Sequence, residues 1–158
     1  PLNKQFNYTF TFLPDCYPAR PPYYSGRYRF QKHYYPIIHG LKARGEEFEC
    51  AKAIDADPNV RHWVRNIAKQ ERSSFWLPTA TDYFYPDFVC DLSDGRVLAI
   101  EYKGEPYKTN DDSREKIQIG EQWEKSSEGR CLFLMAVERD SKGRELGKQI
   151  ADKIAGAG

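Results

Sequence analysis

The sequence predicts one α/β domain: a mixed central sheet flanked by helices, preceded by an aromatic-rich β extension. Three observations carry this. Two apolar segments, within residues 85–104, flank Ser93-Asp94-Gly95, and an Asp-Gly pair in that setting is a strong hairpin signal. Cys131 to Val137 is apolar throughout, as suits a strand buried on both faces. Helical stripes precede the hairpin and stand on either side of that run. The core order is then helix, strand, strand, strand, helix, strand, or αβββαβ.

Residues 1–40 form the extension, basic and rich in aromatics. Asn7 to Leu13 alternates like a strand, Pro14, Pro18, Pro21 and Pro22 interrupt regular structure, and Tyr23 to Phe30 resumes as an extended piece. There Arg27 and Arg29 interleave with Tyr28 and Phe30, a pattern that serves nucleic-acid contact or simple packing of a hairpin on a core. Residues 41–158 carry the main domain. Leu41, Ala43, Phe48, Ala51 and Ile54 are spaced for a buried helical stripe that Asp57-Pro58 ends. Val60 to Ile67 reads as a strand, and Ser74 to Leu77 as a short extended piece. After the hairpin, residues 105–111 form a polar loop. A helix capped by Asp112 or Ser113, with Glu115 placed as in a capping box, runs to about Ser126 and buries Ile117, Gly120 and Trp123, with Ile119 as a further candidate. Glu145 to Ile154 closes the chain as a helix.

With 158 residues, 40% hydrophobic and 30% charged, the chain is long enough for a real core and has the balance of a soluble protein. The longest apolar run is far short of a membrane span. Asn3, Lys4 and Gln5 fall where a signal peptide would build its apolar region. A start at Pro1 is what a piece of a longer protein would show. Cys16, Cys50, Cys90 and Cys131 are widely separated and form no Cys-x-x-Cys pair, which points to a reducing cytoplasm and away from disulfides or zinc. His33, His39 and His62 lack metal-ligand spacing. The net charge of +1 hides an asymmetry: residues 1–45 hold seven cations and one acid, net +6, leaving 17 cations and 22 acids, net −5. A basic arm on an acidic body suits phosphate contact by the arm and cation binding by the body.

The candidate site lies at the far end of the hairpin. Alternation puts Val97, Ala99, Glu101 and Lys103 on one face of the second strand, with Glu101 and Lys103 about 6.6 Å apart. Charge at the end of such a strand needs compensation. A divalent cation shared by Glu101 and Asp87 of the partner strand would supply it. A two-residue turn at Asp94-Gly95 would pair Glu101 with Phe88, next to Asp87. Mg²⁺, with Mn²⁺ as substitute, prefers oxygen ligands and takes one or two carboxylates. The backbone carbonyl of Tyr102 is a third oxygen. Lys103 would place an ammonium beside a scissile phosphate, as base or as electrostatic stabiliser. Glu47 falls one turn before Ala51, on the side of the helical stripe, where it either reaches for water or joins the site.

Pro86-Asp87 followed by Glu101-Tyr102-Lys103 resembles the signature of the PD-(D/E)XK nuclease superfamily, whose core has this element order. Gly26-Arg-Tyr, His33-Tyr-Tyr-Pro36, Trp63-Val-Arg-Asn66, Ser74-Phe-Trp-Leu-Pro78, Phe84-Tyr-Pro-Asp-Phe88 and Asp94-Gly-Arg96 more narrowly resemble the C-terminal endonuclease domain of type III restriction subunits. The resemblance implies a restriction-endonuclease-like fold and a Mg²⁺-dependent DNA endonuclease. In it Asp87, Glu101 and Glu47, with Glu46 as fallback, hold metal and Lys103 is catalytic. It also implies a helicase (ATPase) module and a modification subunit as partners, and pairing of two nuclease domains to cut both strands. Arg27, Arg29 and Lys32 are the expected nucleic-acid contacts. Gly143 to Gln149 is too short between its glycines for a phosphate-binding loop and lacks its Ser or Thr, so any ATPase lies elsewhere. The competing expectation is a noncatalytic nucleic-acid-binding or docking domain on the same fold. Glycoside hydrolysis fits poorly, because Lys103 crowds the acids.

Overall fold

A computed structural model gives the structure and describes residues 6–70, 72–104 and 111–156. In chain order the elements are α1 (Glu46–Ala56), β1 (Val60–Arg65), β2 (Leu77–Pro78), β3 (Tyr83–Phe84), β4 (Phe88–Leu92), β5 (Val97–Gly104), α2 (Asp111–Ser126), β6 (Cys131–Val137) and α3 (Leu146–Ala155). β1, β4, β5 and β6 form one sheet in that spatial order, antiparallel except for the parallel β5–β6 pair. The small β2–β3 hairpin, which the sequence pattern does not announce, stands outside it.

Strand alternation sorts the core into two layers. Trp63, Phe88, Cys90, Leu98 and Ile100 face α1 and α3, which contribute Phe48, Ile54, Ile150 and Ile154. Val64, Val89, Val97, Ala99 and Phe133 face α2, which contributes Ile119 and Trp123. Because β5 is covered on both faces, Val97 to Ile100 are all buried, and charge enters only at Glu101. Gly120 sits where α2 crosses Phe133: a Cβ built there would lie 2.2 Å from the ring. We expect Gly120→Ala to cost about 3 kcal/mol by overpacking, read as a lower denaturant midpoint. A loss under about 0.5 kcal/mol would mean that the ring can yield.

Three expectations need correction. The central turn has three residues, not two: Leu92 N–H donates to the Arg96 carbonyl (2.9 Å), and Gly95 takes φ +90°. A three-residue loop with glycine in the left-handed position is the next commonest hairpin closure. The register is therefore Phe88 with Ile100, one residue from the expected Phe88–Glu101 pair. The first helix begins at Glu46 and not at Leu41, because Arg44 turns left-handed (φ +67°) and Gly45 is the N-cap. Leu41 is still buried, but Ala43 is exposed. Glu115 does not close a capping box; its Oε1 accepts from the Ala80 amide (3.4 Å).

Among the described residues the N-terminal extension contains no β-strand, only the isolated bridges Tyr23–His39 and His33–Trp63. Residues 6–13 do alternate in burial, but their carbonyls meet side chains and not a ladder. Trp123 Nε1 donates to Asn7 (2.6 Å), and Tyr35 Oη to Leu13 (2.8 Å). Asp55 fastens the rest. Its buried carboxylate accepts from the amides of Gln31 (3.0 Å) and Lys32 (2.8 Å), from Trp63 Nε1 (2.9 Å) and from Tyr28 Oη (3.2 Å). Tyr28 and Phe30 accordingly pack about Phe48, while Arg27 and Arg29 stay exposed. Among the described residues no helix is long and apolar enough to cross a membrane. All four cysteines are free, three of them buried.

Candidate functional site

The observed register, continued two residues past Phe88, sets Asp87 across from Glu101 and Pro86 across from Tyr102. Opposed residues of an antiparallel pair share a face, so the two acids stand on the same side of the sheet. Asp87 Oδ2 accepts the Tyr102 amide at 2.8 Å. In an extended strand a residue's amide and carbonyl point to the same neighbour. The Tyr102 carbonyl thus faces Pro86, which has no N–H to give it, and the proline leaves that oxygen free of the ladder. Asn66 holds this corner. Its Nδ2 donates to the carbonyls of Phe75 (2.8 Å) and Pro86 (2.9 Å), and its Oδ1 accepts from the Phe75 amide (2.9 Å).

Two cations answer the acids. Lys116 of α2 donates to Glu101 Oε2 at 2.9 Å, lies 3.3 Å from Asp112, and rests over the Phe84 ring. Arg65, at the end of β1 and over the Phe88 ring, bonds Glu47 and approaches Asp87 to 3.6 Å. Among the described residues neither the buried Glu101 Oε1 nor the buried Arg65 Nη1 has a hydrogen-bond partner. Burial and then the Asp87 charge push the Glu101 carboxyl up to about 8, against the opposing bond from Lys116. Burial works against the Lys116 ammonium too, but its bonds to Glu101 and Asp112 outweigh that and raise it. Burial and the neighbouring Asp87 together therefore outweigh what Lys116 offers the Glu101 carboxylate.

The expected site residues divide as follows. Asp87, Glu101 and the Tyr102 carbonyl are brought together. Lys103 follows them, half-buried, at the irregular step where β5 slips against β6 between Tyr102 and Gly104. Among the described residues Glu47 is linked to Asp87 through Arg65. Glu46 lies by Gly104, where a Cβ would come within 3.0 Å of its carboxylate. Burial, followed by Glu46 and Glu138, pushes the Tyr102 phenol up to about 12. Lys32 is spent on the fold, its Nζ donating to the Asp57 carbonyl (2.6 Å). Among the described residues no three His, Cys, Asp or Glu groups are gathered as a metal-ligating cluster.

Lys116 and Arg65 were not among the expected site residues, although each had a signal. Lys116 falls three and four residues before Ile119 and Gly120, on the buried stripe of α2. Arg65 shares a strand face with the fully buried Trp63. A cation on a buried face asks for an anion.

The donor set fits a hard divalent ion. Two carboxylates, one with an oxygen unpartnered among the described residues, and the Tyr102 carbonyl make an all-oxygen donor set of the kind Mg²⁺ takes together with water. Such an ion would offset the burial and the Asp87 charge that raise Glu101. Compared with family models, curated proteins and solved structures, the chain matches none.

His33 couples the extension to this site. Its Nδ1–H donates to the Tyr35 carbonyl (2.8 Å) and its Nε2 accepts the Arg65 amide (3.1 Å), so the ring is neutral. Burial lowers its pKa to about 4. With the folded value below the unfolded one of about 6.5, this stability is complete above pH 6.5 and is lost as pH falls toward 4. We expect unfolding free energy to drop by about 3 kcal/mol over that window and His33→Gln to flatten the dependence. An unchanged slope in the variant would move the acid sensitivity elsewhere.

Proposed function

We propose that this chain is a divalent-metal-dependent endonuclease domain that hydrolyses DNA phosphodiester bonds, built on a restriction-endonuclease-like αβββαβ core. The observation that carries the reading is the facing pair Asp87 and Glu101, with a buried unpartnered oxygen on one and the proline-freed Tyr102 carbonyl beside them. Both acids and that carbonyl would hold Mg²⁺ or Mn²⁺, which supplies activation of water and charge neutralisation at the phosphate. The Tyr102 amide fixes the Asp87 carboxylate, and Asn66 fixes the backbone before it. Lys103 offers positive charge to the phosphate or takes the proton of the attacking water. Arg65 sets the Glu47 carboxylate apart from the acid pair, which leaves Glu47 a supporting role. The sheet order, with a parallel last strand beside the acid-bearing hairpin, is compatible with that core, and the type III restriction-type context rests on the motif resemblance alone. That context brings a helicase module, a modification subunit, a cytoplasmic setting and pairing of two domains for double-strand cutting.

Plasmid nicking tests it. Wild-type chain should relax supercoiled DNA only with Mg²⁺ or Mn²⁺, and Asp87→Ala and Lys103→Ala should each abolish this. A wild-type rate in either variant removes the site. One observation favours a second reading, a noncatalytic nucleic-acid-binding module: each acid already has a protein cation beside it. That reading expects salt-sensitive binding and no metal-dependent turnover.

A further inference from the structure

The extension encloses an open cleft of about 1010 Å³, whose walls come entirely from residues 23–38. Arg27 and Arg29 are its only Lys or Arg side chains, and no Asp or Glu lines it. Both arginines are exposed, and neither has an ion pair among the described residues. Strand-like alternation turns them outward because Tyr28 and Phe30 are drawn inward onto Phe48. On the rim Tyr23 is 46% exposed and Ile37 is 47% exposed, two of the three most exposed large apolar side chains among the described residues. Tyr34 lies in the wall, stabilised from behind by Phe12 at 4.8 Å.

A surface with two unpaired guanidinium groups and no carboxylate is complementary to a polyanion. Exposed tyrosine beside it gives unstacked bases a flat apolar face, which a closed duplex could not use. We propose that this cleft is a docking groove for single-stranded DNA. In it Arg27 and Arg29 contact phosphates and Tyr23 stacks on a base. The choice of DNA over RNA rests on the nuclease reading above; the groove does not. His33 lines the same cleft and accepts the Arg65 amide, so a strand held there lies against the segment that carries Arg65 to Asp87. The groove thus holds a strand by contacts separate from the acids that would cut it.

The test is fluorescence anisotropy of a labelled oligothymidylate of about 20 nucleotides, long enough for one such groove. It is run on the whole chain in EDTA so that no cutting occurs. Arg27→Ala/Arg29→Ala should weaken binding at least about ten-fold and reduce the salt slope by roughly 0.7 per lost contact. Tyr23→Ala should weaken it by about ten-fold with the slope unchanged. Arg61→Ala/Arg139→Ala removes the same charge elsewhere on the surface and should leave affinity within about two-fold. Equal losses in the two double-arginine variants would overturn the groove, as would tighter binding of the matching duplex, and tighter binding of oligouridylate would overturn the choice of DNA. Intact, cleft-dependent binding with no metal-dependent nicking would sink the nuclease reading and leave the groove standing. Nicking by wild type with no loss in the cleft variants would do the reverse.

Discussion

Glu101→Gln is expected to lower metal-dependent DNA cutting by roughly three orders of magnitude and, at the same time, to stabilise the metal-free protein. The opposition follows from one cause. Glu101 is buried facing Asp87, and its folded pKa of about 8 lies above the ordinary value of 4.5. A raised carboxyl contributes stability that is complete below about pH 4.5 and is lost as pH climbs through 8. Between those limits the wild-type fold should lose on the order of 4 kcal/mol in EDTA, the opposing bond from Lys116 being already part of the raised value. Glutamine stays neutral and accepts the Lys116 bond, so the variant should show a flat profile and exceed wild type at pH 8. Added Mg²⁺ should restore wild type and do little for Glu101→Gln. Urea melts at several pH values, with and without the cation, read all of this. A variant less stable than wild type at pH 8 in EDTA would mean that the acids do not repel.

Asp55→Ala should cost about 4 kcal/mol, the largest loss expected from any single truncation outside the apolar core. Asp55 is only 4% exposed and accepts from two backbone amides, an indole and a phenol, so its removal strands four donors together. Water entering the gap satisfies part of them, which keeps the estimate below the full sum. The amides belong to residues 31–32, so the loss also detaches the wall of the cleft. Asp55→Asn should fall between, because its NH₂ opposes donors that all point at one group. Equilibrium unfolding supplies the number, and proteolysis within residues 20–35 supplies the location. A loss below about 1 kcal/mol would show that the extension is held by its aromatic contacts alone.

Much of this architecture is legible in local pattern. The apolar run of β6, the stripe of α3 and the Asp-Gly hairpin each depend on period and turn chemistry, and these elements stand where the pattern places them. The facing of Asp87 and Glu101 is not legible in the same way: the expected two-residue turn pairs Glu101 with Phe88 and would put Asp87 on the opposite face, and only the third loop residue brings the two acids to one side. The extension is different. Asn7 to Leu13 has the alternation of a strand, but alternation reports only which side chains are covered, not whether a neighbour offers a ladder. Here the cover comes from Phe75 and Trp123, and the backbone bonds go to side chains. Lys116 and Arg65 illustrate a further limit. Each sits on a buried face beside apolar residues of its own element, and its anion lies on another element distant in sequence, which no local window contains.

The most direct test of the account is a crystal soaked in Mn²⁺ and measured at the manganese absorption edge. One anomalous peak within coordination distance of both the Asp87 and Glu101 carboxylates, with Lys116 drawn away from Glu101, is the expected result. A well-ordered site in which Lys116 and Arg65 keep the acids and no peak lies between them would contradict it.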